Sequence, residues 1–212
     1  MEDVLDAYTR PYDPRFPQIC LDERPVQLLA DVREPLPPRR GTLRREDYEY
    51  ERRGIANLFL WYEPLQAKRH VVPTERRTMV DWARCIKDLV DVHYPDAEKI
   101  VLVMDNLNTH SPASLYAAFP PAEAKRLADK LEIHPTPKHG SWLNMAEVEI
   151  AVLSTQCLDQ RIPDLETLTA EVAAWEEERN CTAAIIDWRF TADDARIKLR
   201  RLYPIPGPER GR

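Results

Sequence analysis

Residues 99–105, with the sequence KIVLVMD, decide the fold of this chain. Five consecutive apolar residues in so short a run are typical of a central strand that is covered on both faces. Because side chains alternate along a strand, Val101, Val103 and Asp105 share one face. Asp105 falls at the carboxyl end of the strand, where open α/β sheets commonly place ligands. The stretch therefore predicts an α/β fold with a candidate functional residue at Asp105.

The flanking sequence predicts the remaining strands and helices. A bent strand or a hairpin is predicted where Pro25 interrupts an apolar run, because proline cannot donate a hydrogen bond within a sheet. Other strands and helices follow from β-branched runs and from apolar residues spaced three and four apart. The strands cover residues 18–30, 56–62, 68–73, 99–105 and 131–136, and the helices cover residues 78–94, 112–119, 121–130, 143–160, 164–180 and 192–202. This order indicates a mixed five-stranded sheet with flanking helices and extra C-terminal helices.

The overall charge argues against a protein that binds nucleic acid tightly on its own. The chain has 212 residues, with 30 basic and 36 acidic side chains and a formal net charge of -6. Dedicated nucleic-acid binders are usually basic. Carboxylates that hold divalent metals add negative charge, however, while a surface that faces phosphate can be locally positive. Nucleic-acid chemistry at a metal site is therefore compatible with this charge.

No feature of the sequence indicates export or a membrane. The longest wholly apolar stretch, residues 100–104, is far shorter than the roughly 20 residues of a membrane-spanning helix. The first ten residues are charged and do not resemble a signal peptide. The four cysteines are scattered, without a Cys-x-x-Cys pair or a zinc-like spacing. We expect a soluble cytoplasmic protein with reduced thiols and no membrane partner.

Asp22 and Asp105 are both placed within or at the end of an apolar strand. An unpaired ionised carboxylate is costly to bury, so each requires compensation. Taken singly, Asp22 could be the solvent-facing member of an alternating strand and Asp105 a cap before the next turn. As a pair they are better explained by metal binding, because Mg²⁺ prefers hard oxygen ligands and carboxylate-bridged ions suit phosphoryl chemistry.

Three motifs resemble a known family. They are CLDE at residues 20–23, VMDN at residues 103–106 with His110 following, and SWLNMAE at residues 141–147. In this order they resemble the DDE-type endonuclease domain of bacterial insertion-sequence transposases related to the Tc/mariner superfamily. The resemblance covers nearly the whole chain. It implies a catalytic domain at residues 18–204, an N-terminal linker remnant at residues 1–17 and a C-terminal tail at residues 205–212.

The resemblance implies a ribonuclease H-like fold with a catalytic triad of acids. Asp22 lies on the first strand, Asp105 after the fourth strand and Glu147 on a later helix. It further implies that these three residues are the metal ligands and hold two Mg²⁺ ions, for which Mn²⁺ can substitute. The expected activity is cleavage of DNA at transposon ends, followed by transfer of the freed 3′ hydroxyl to target DNA.

The third acid has a rival two positions along the same predicted helix. Glu147 and Glu149 are separated by roughly 200° of helical rotation, so both cannot face one metal. Glu147 completes the Leu-Asn-x-x-Glu pattern of the resemblance and is preferred. The alternative is that both are exposed helix charges.

Several polar residues near the acids are candidates for supporting or DNA-contacting roles. Each also has a purely structural interpretation, such as a loop histidine or a helix cap at Ser141 or Asn144. Residues before the third motif could bind a phosphate at the helix N-terminus, and Asn144, one turn before Glu147, could contact a phosphate or steady the carboxylate. The candidates are Asn106, His110, Lys138, His139, Ser141 and Asn144.

The expected partners are DNA and other protein subunits. Relatives of this family usually carry a helix-turn-helix region ahead of the catalytic domain, and fewer than 20 residues precede the first strand here. We therefore expect a separately encoded helix-turn-helix half or a truncated element, and a homodimer in the active complex that pairs two DNA ends. The alternative functions are a non-catalytic partner that inhibits intact transposase and a ribonuclease H-like nuclease of another role.

Overall fold

A single five-stranded sheet organises the part of the chain that the structure describes. This computed structural model describes residues 1–33, 41, 47–105, 110–138 and 140–203. The strands are β1 (Gln18–Asp31), β2 (Tyr50–Glu63), β3 (Lys68–Thr74), β4 (Ile100–Met104) and β5 (Leu131–Pro135). The helices are α1 (Glu2–Tyr8), α2 (Met79–Asp88), α3 (Pro112–Ala118), α4 (Pro121–Asp129), α5 (Met145–Gln156), α6 (Leu165–Cys181) and α7 (Ala192–Lys198). Among these described helices, none combines the length and the apolar character needed to cross a membrane.

The sheet is mixed, as the sequence predicts. Its strand order is β3-β2-β1-β4-β5. The pairs β1–β2 and β2–β3 are antiparallel, whereas β1–β4 and β4–β5 are parallel. The two parallel connections carry helices, α2 before β4 and α3 with α4 before β5, which is the usual way to join parallel neighbours.

Apolar side chains cover both faces of the central strands. On one face, Ile19 and Leu21 of β1 pack in a cluster with Trp82 and Ile86 of α2. On the other face the same strand contributes Cys20, in a cluster that includes residues of α5 and α6. Because β1 and β4 are buried from both sides, the alternation of polar and apolar residues is lost there, which is why residues 100–104 are uniformly apolar.

β1 continues through Pro25 as one strand, so the predicted hairpin is wrong, while an irregularity in its pairing with β2 falls later, between Leu28 and Leu29. Pro25 is paired with Asn57 of β2. β4 pairs with β1 along Gln18 to Cys20, so at the proline β2 is the one neighbouring strand of β1 within the part of the chain that the structure describes. A proline is tolerated there because its missing N–H would have pointed to the unpaired side.

The predicted N-terminal linker includes a packed helix. Within α1, Val4 and Leu5 are fully buried in the same cluster as α5. The side-chain amide of Gln18 donates to the carbonyl of Ala7, and the Tyr8 hydroxyl donates to the Leu143 carbonyl over 2.8 Å. Residues 2–8 are therefore part of the folded unit. The predicted tail at residues 205–212 lies outside the described residues.

The helix predicted over residues 78–94 changes its winding partway. α2 begins at a capping box between Thr78 and Asp81 and ends at Asp88. A π-helical turn, Leu89–His93, continues from it, and the N–H of Tyr94 donates to the carbonyl of Leu89 over 3.0 Å. The wider turn brings side chains five residues apart onto one side.

Side chains of helix α6 bind the backbone of the edge strand β3, in the place where a further strand would pair. The side-chain amide of Asn180 accepts from the N–H of Arg69 and donates to its carbonyl, both over 2.9 Å. Glu176 accepts from the N–H of Val71 over 2.9 Å. These bonds satisfy backbone groups that would otherwise form an open sheet edge.

A buried ion-pair network joins β3, α5 and α6. The carboxylate of Glu149, in α5, lies 3.3 Å from the guanidinium of Arg69 and 2.8 Å from that of Arg179. The side chains of Glu149 and Arg69 are fully buried. A buried charge that loses its partner is strongly destabilising, so this network specifies how the two helices pack on the sheet.

We expect Glu149→Gln to lower the free energy of unfolding by about 3 kcal/mol, because it leaves two arginines without their counter-charge. Denaturation by urea, followed by circular dichroism, measures this change. Glu177→Gln, on the exposed side of α6, is the matched control and should stay within about 0.5 kcal/mol of the parent. Equal unfolding midpoints for the two variants would contradict the assignment.

Candidate active site

The register between β1 and β4 places two of the predicted acids side by side. Cys20 of β1 is paired with Val103 of β4 in a parallel ladder. Asp22 and Asp105 each follow that pair by two residues, just beyond the last residues that the two strands pair. Asp105 follows the carboxyl end of β4, and Asp22 follows the stretch of β1 that is paired with β4. This is the position at which open α/β sheets gather functional groups.

Glu147 reaches the same place from the first turn of α5. It lines a cavity together with Asp22, Glu23, Ile150 and Ala151. The face of β1 that bears Asp22 also bears Cys20, which packs in the cluster that includes α5. Asp22 and Glu147 therefore line one cavity, and the carboxylate of Asp105 is close enough for its charge to act on Asp22.

Asn144 fixes the start of α5 against β1. Its side-chain carbonyl accepts from the N–H of Ala146 over 3.1 Å and caps the helix. Its side-chain amide donates to the carbonyl of Leu21, the residue before Asp22, over 2.8 Å. The side chain is 1% exposed. Both of these hydrogen bonds join the Asn144 side chain to backbone groups, one on β1 and one in the first turn of α5.

The rival third acid, Glu149, is engaged elsewhere. Its carboxylate is buried against Arg69 and Arg179, as described above. Glu147, on a different side of α5, is half-buried and lines the cavity with Asp22. Because the two residues are two positions apart on the helix, Glu149 forms a structural ion pair while Glu147 is a candidate metal ligand.

Asp22 is strained electrostatically by its surroundings. Burial, with smaller contributions from the charges of Glu23, Asp105 and Glu147, raises the pKa of this carboxyl from its ordinary value of 3.8 to about 7. The N–H of Glu23, which donates to its Oδ1 over 2.9 Å, opposes the rise. Like charges close together in a half-buried site are typical of carboxylates that bind a cation.

Glu23 joins the site from the opposite face of β1, which the sequence analysis did not predict. The Nδ1 atom of His110 lies 3.2 Å from Oδ1 of Asp105 and 3.5 Å from Oε2 of Glu23. The imidazole stacks on the Trp82 ring with centroids 5.8 Å apart. Because side chains alternate along β1, Glu23 and Asp22 lie on opposite faces of the sheet. Asp105 comes after the end of β4 and can therefore lie near both of them. The signal available in the sequence was the doubled acid of the CLDE motif.

The other predicted supporting residues lie at the entrance to α5 or outside the described residues. Lys138 is exposed in a turn, and Ser141 is exposed in the 3₁₀ turn Ser141–Leu143. Within the described residues, neither makes a hydrogen bond or ion pair to the three acids. Asn106 and His139 lie outside the described residues.

The donor set fits a divalent metal ion. Asp22, Asp105 and Glu147 offer carboxylate oxygens, the ligands that Mg²⁺ and Mn²⁺ prefer. The ligand atoms of Glu23, Asp105 and His110 also lie within 4.8 Å of one another, on the side of Asp105 that faces α2. A divalent cation would offset the repulsion that raises the pKa of Asp22.

Comparisons with known proteins identify a family and a fold. The model of a family described as DDE superfamily endonuclease matches residues 17–169. Among solved structures, the Mos1 mariner paired-end complex with Mn matches with a TM-score of 0.54 and 14% identity, covering 86% of this chain and 57% of that one. The Mos1 strand transfer complex matches with a TM-score of 0.56 and 14% identity, covering 86% and 56%. A search of curated proteins finds no match.

The structural likeness confirms the expected ribonuclease H-like fold. At 14% identity it concerns the fold alone. The chain spans little more than half the length of the Mos1 chains that it matches.

We expect the metal-free protein to lose stability as the pH rises from about 4 to about 7. Native Asp22 titrates near pH 7 and the unfolded residue near 3.8, so the native state holds the extra proton between these values. The protonation of Asp22 is expected to contribute about 2 kcal/mol to the free energy of unfolding. This is half of what the full difference in pKa would give, because the side chain is partly exposed to solvent. Asp22→Asn should therefore be more stable than the parent at about pH 8 in EDTA and nearly equal to it at about pH 4.

Urea denaturation at the two pH values measures this difference. Asp159→Asn, an exposed aspartate, is the control and should track the parent at both. Adding Mg²⁺ should shrink the advantage of Asp22→Asn, because the cation stabilises only the parent. An advantage that is the same at both pH values would show that burial does not raise the pKa of Asp22.

Proposed function

Because the chain belongs to the DDE superfamily of endonucleases, we propose that it is a transposase catalytic domain that cuts DNA at transposon ends and joins it to target DNA. Asp22, Asp105 and Glu147 are the proposed catalytic residues and metal ligands. The observation that carries the proposal is the proximity of the three acids: Asp22 and Glu147 line one cavity, and the charges of Asp105 and Glu147 both act on Asp22.

The proposed cofactor is a pair of Mg²⁺ ions, with Mn²⁺ as a substitute. When bound, such ions activate an attacking oxygen and stabilise the leaving oxygen of a phosphodiester. The Mos1 complex that contains Mn supports the choice of a divalent cation. Metal-ligand roles are proposed for the three acids, while Glu23 and His110 support Asp105 from the other face.

The residues of this chain supply orientation. His110 lies close to one oxygen of Asp105, and a histidine held between two carboxylates restricts how that carboxyl turns. Asn144 holds the α5 terminus against β1, so Glu147 and Asp22 keep a fixed separation. Such preorganisation matters because displacements of about 1 Å can cost a hundredfold in rate.

The proposed substrates are transposon-end DNA and target DNA, as the Mos1 paired-end and strand transfer complexes suggest. End pairing favours a homodimer in the active complex. The net charge of -6 favours a further DNA-binding region, supplied by the same polypeptide or as a separate helix-turn-helix half. The reaction would take place on bacterial DNA in the cytoplasm.

The proposed catalytic domain extends beyond the family match. Residues 18–204 remain the proposed unit, since Ala195 of α7 is fully buried in the core. α1 packs on the same core and is proposed to fold with it.

We expect the chain to nick supercoiled plasmid DNA only when Mg²⁺ or Mn²⁺ is present. Asp105→Asn and Glu147→Gln should each lower the rate by at least about 100-fold, because each removes a ligand of the metal. Gel separation of nicked circles measures the rate. Glu166→Gln is the matched control for Glu147, since both glutamates are in the first turn of a helix and Glu166 is exposed.

A second readout separates binding from turnover. Titration of Mn²⁺ followed by electron paramagnetic resonance should show bound metal in the parent and in Glu166→Gln, and weakened binding in Asp105→Asn. Nicking that survives in EDTA, or in Glu147→Gln, would refute the assignment of the acids. Bound Mn²⁺ without nicking by the parent would favour a non-catalytic role.

A further inference from the structure

A second group of metal-binding side chains lies on the face of the sheet opposite Asp22. His70 of β3, Asp88 at the end of α2 and His93 of the π-helical turn offer ligand atoms that all lie within 4.8 Å of one another. His70 is paired with Trp61, which is paired with Leu21. The group is therefore two strands, roughly 10 Å, from the β1 backbone, and belongs to neither set of acids described above.

Part of this group already has the spacing of metal ligands. The Nε2 atom of His93 lies 3.2 Å from Oδ2 of Asp88. Two ligands of a tetrahedral zinc ion with bonds of about 2.0–2.1 Å lie about 3.3 Å apart. The rings of His70 and His93 have centroids 4.6 Å apart. A shift of roughly 1.5 Å is the most that His70 needs to complete the set.

Glu176 orients His70 as a second-shell carboxylate orients a metal ligand. Its Oε1 lies 2.9 Å from Nδ1 of His70, and its Oε2 accepts the N–H of Val71 over 2.9 Å. A carboxylate accepts hydrogen bonds, so Nδ1 donates here, and in the neutral ring Nε2 is then the nitrogen with a free lone pair. This carboxylate–histidine arrangement is the usual support of a metal-bound imidazole.

The π-helical turn explains why Asp88 and His93 meet. In an α-helix, five residues turn through about 500°, which would leave the two side chains about 140° apart. The wider turn at Leu89–His93 removes much of this angle and brings His93 back beside Asp88. Such turns are rare and frequently occur at functional sites.

We propose that His70, Asp88 and His93 form a zinc site that is separate from the acidic site. Two imidazoles and one carboxylate suit Zn²⁺ better than Mg²⁺, which prefers oxygen ligands alone. The ion would tie the edge strand β3 to the end of α2, and water would complete its coordination.

The charges around the group are compatible with a dication. Burial lowers the pKa of His93, with smaller effects of His70 and Lys68 in the same direction and of Asp88 in the opposite one. Lys68 opposes a cation, and its ammonium lies over the rings of Trp61 and Tyr94 at 5.7 and 5.6 Å. Asp88 and Glu176 together supply two negative charges against this one.

Calorimetric titration of EDTA-stripped protein with Zn²⁺, in excess Mg²⁺ to fill the acidic site, tests the proposal. We expect a single zinc ion to bind each chain. Thermal unfolding should shift upward by about 5–10 °C when free zinc is a hundredfold above its dissociation constant. Co²⁺ should give the visible absorption of a site with imidazole ligands.

Variants assign the site. His93→Gln and His70→Gln should weaken zinc binding at least about 100-fold, and Glu176→Gln about 10-fold, as expected for ligands and a supporting carboxylate. Asp88→Asn changes a partly exposed side chain and provides a ligand variant with little risk to folding. Asp105→Asn, His110→Gln and Cys181→Ser are controls that should bind zinc like the parent.

The outcomes separate this proposal from the proposed function. Zinc binding that persists in the His70 and His93 variants, or that disappears in Asp105→Asn and His110→Gln, would overturn it. The absence of zinc binding by the parent would do the same. None of these results depends on DNA cleavage.

Discussion

The hydrogen bond from the Asn144 side chain to the carbonyl of Leu21 is the contact on which the site depends. It crosses between two elements that are 123 residues apart in sequence and is almost completely shielded from water. A buried amide that loses its partner costs about 1–3 kcal/mol, so the helix terminus is held at one place on the strand. The same side chain caps α5, and so one residue sets both where the helix begins and where it sits.

The two acids of α5, Glu147 and Glu149, lie on different sides of the helix because they are two positions apart in sequence. Glu149 turns into the protein, where two arginines neutralise it, and this stabilises the packing of α5 and α6. Glu147 turns toward Asp22, where the surrounding groups are also negative. One side of α5 thus stabilises the fold through Glu149, and the other side places Glu147 at the candidate active site. The repulsion around Glu147 is tolerated because the ion pairs of Glu149 hold the helix in place.

Much of the fold follows from local patterns, and the failures have physical causes. The stretch KIVLVMD predicted β4 correctly because burial on both faces removes alternation from the sequence. The sequence analysis placed a bend at Pro25 because a proline inside a paired strand loses a bond, but strand order, a long-range property, left that side unpaired. The packing of α1 was missed because seven residues give too little periodicity to separate a helix from a linker.

The site was predictable to the extent that it follows from motifs and strand ends. Asp22, Asp105 and Glu147 were predicted from these, and the structure brings them together. Glu23 was missed because alternation assigns it to the other face, and only the position of Asp105 after the strand end joins the two faces. The group of His70, Asp88 and His93 left no local signal, since it requires a change of helical winding.

Pro25 has a consequence for what can approach the acids. Among the described residues, no strand lies beside β1 beyond Cys20 on the side of β4, and such an edge is normally a template for another chain. The N–H of Leu29, on that same side, is already bonded to the carbonyl of Ile162. A foreign strand that approached this edge would meet Pro25, which has no N–H to donate, and so could not form a continuous ladder along it. The part of β1 that follows Asp22 is thereby protected against pairing with another chain.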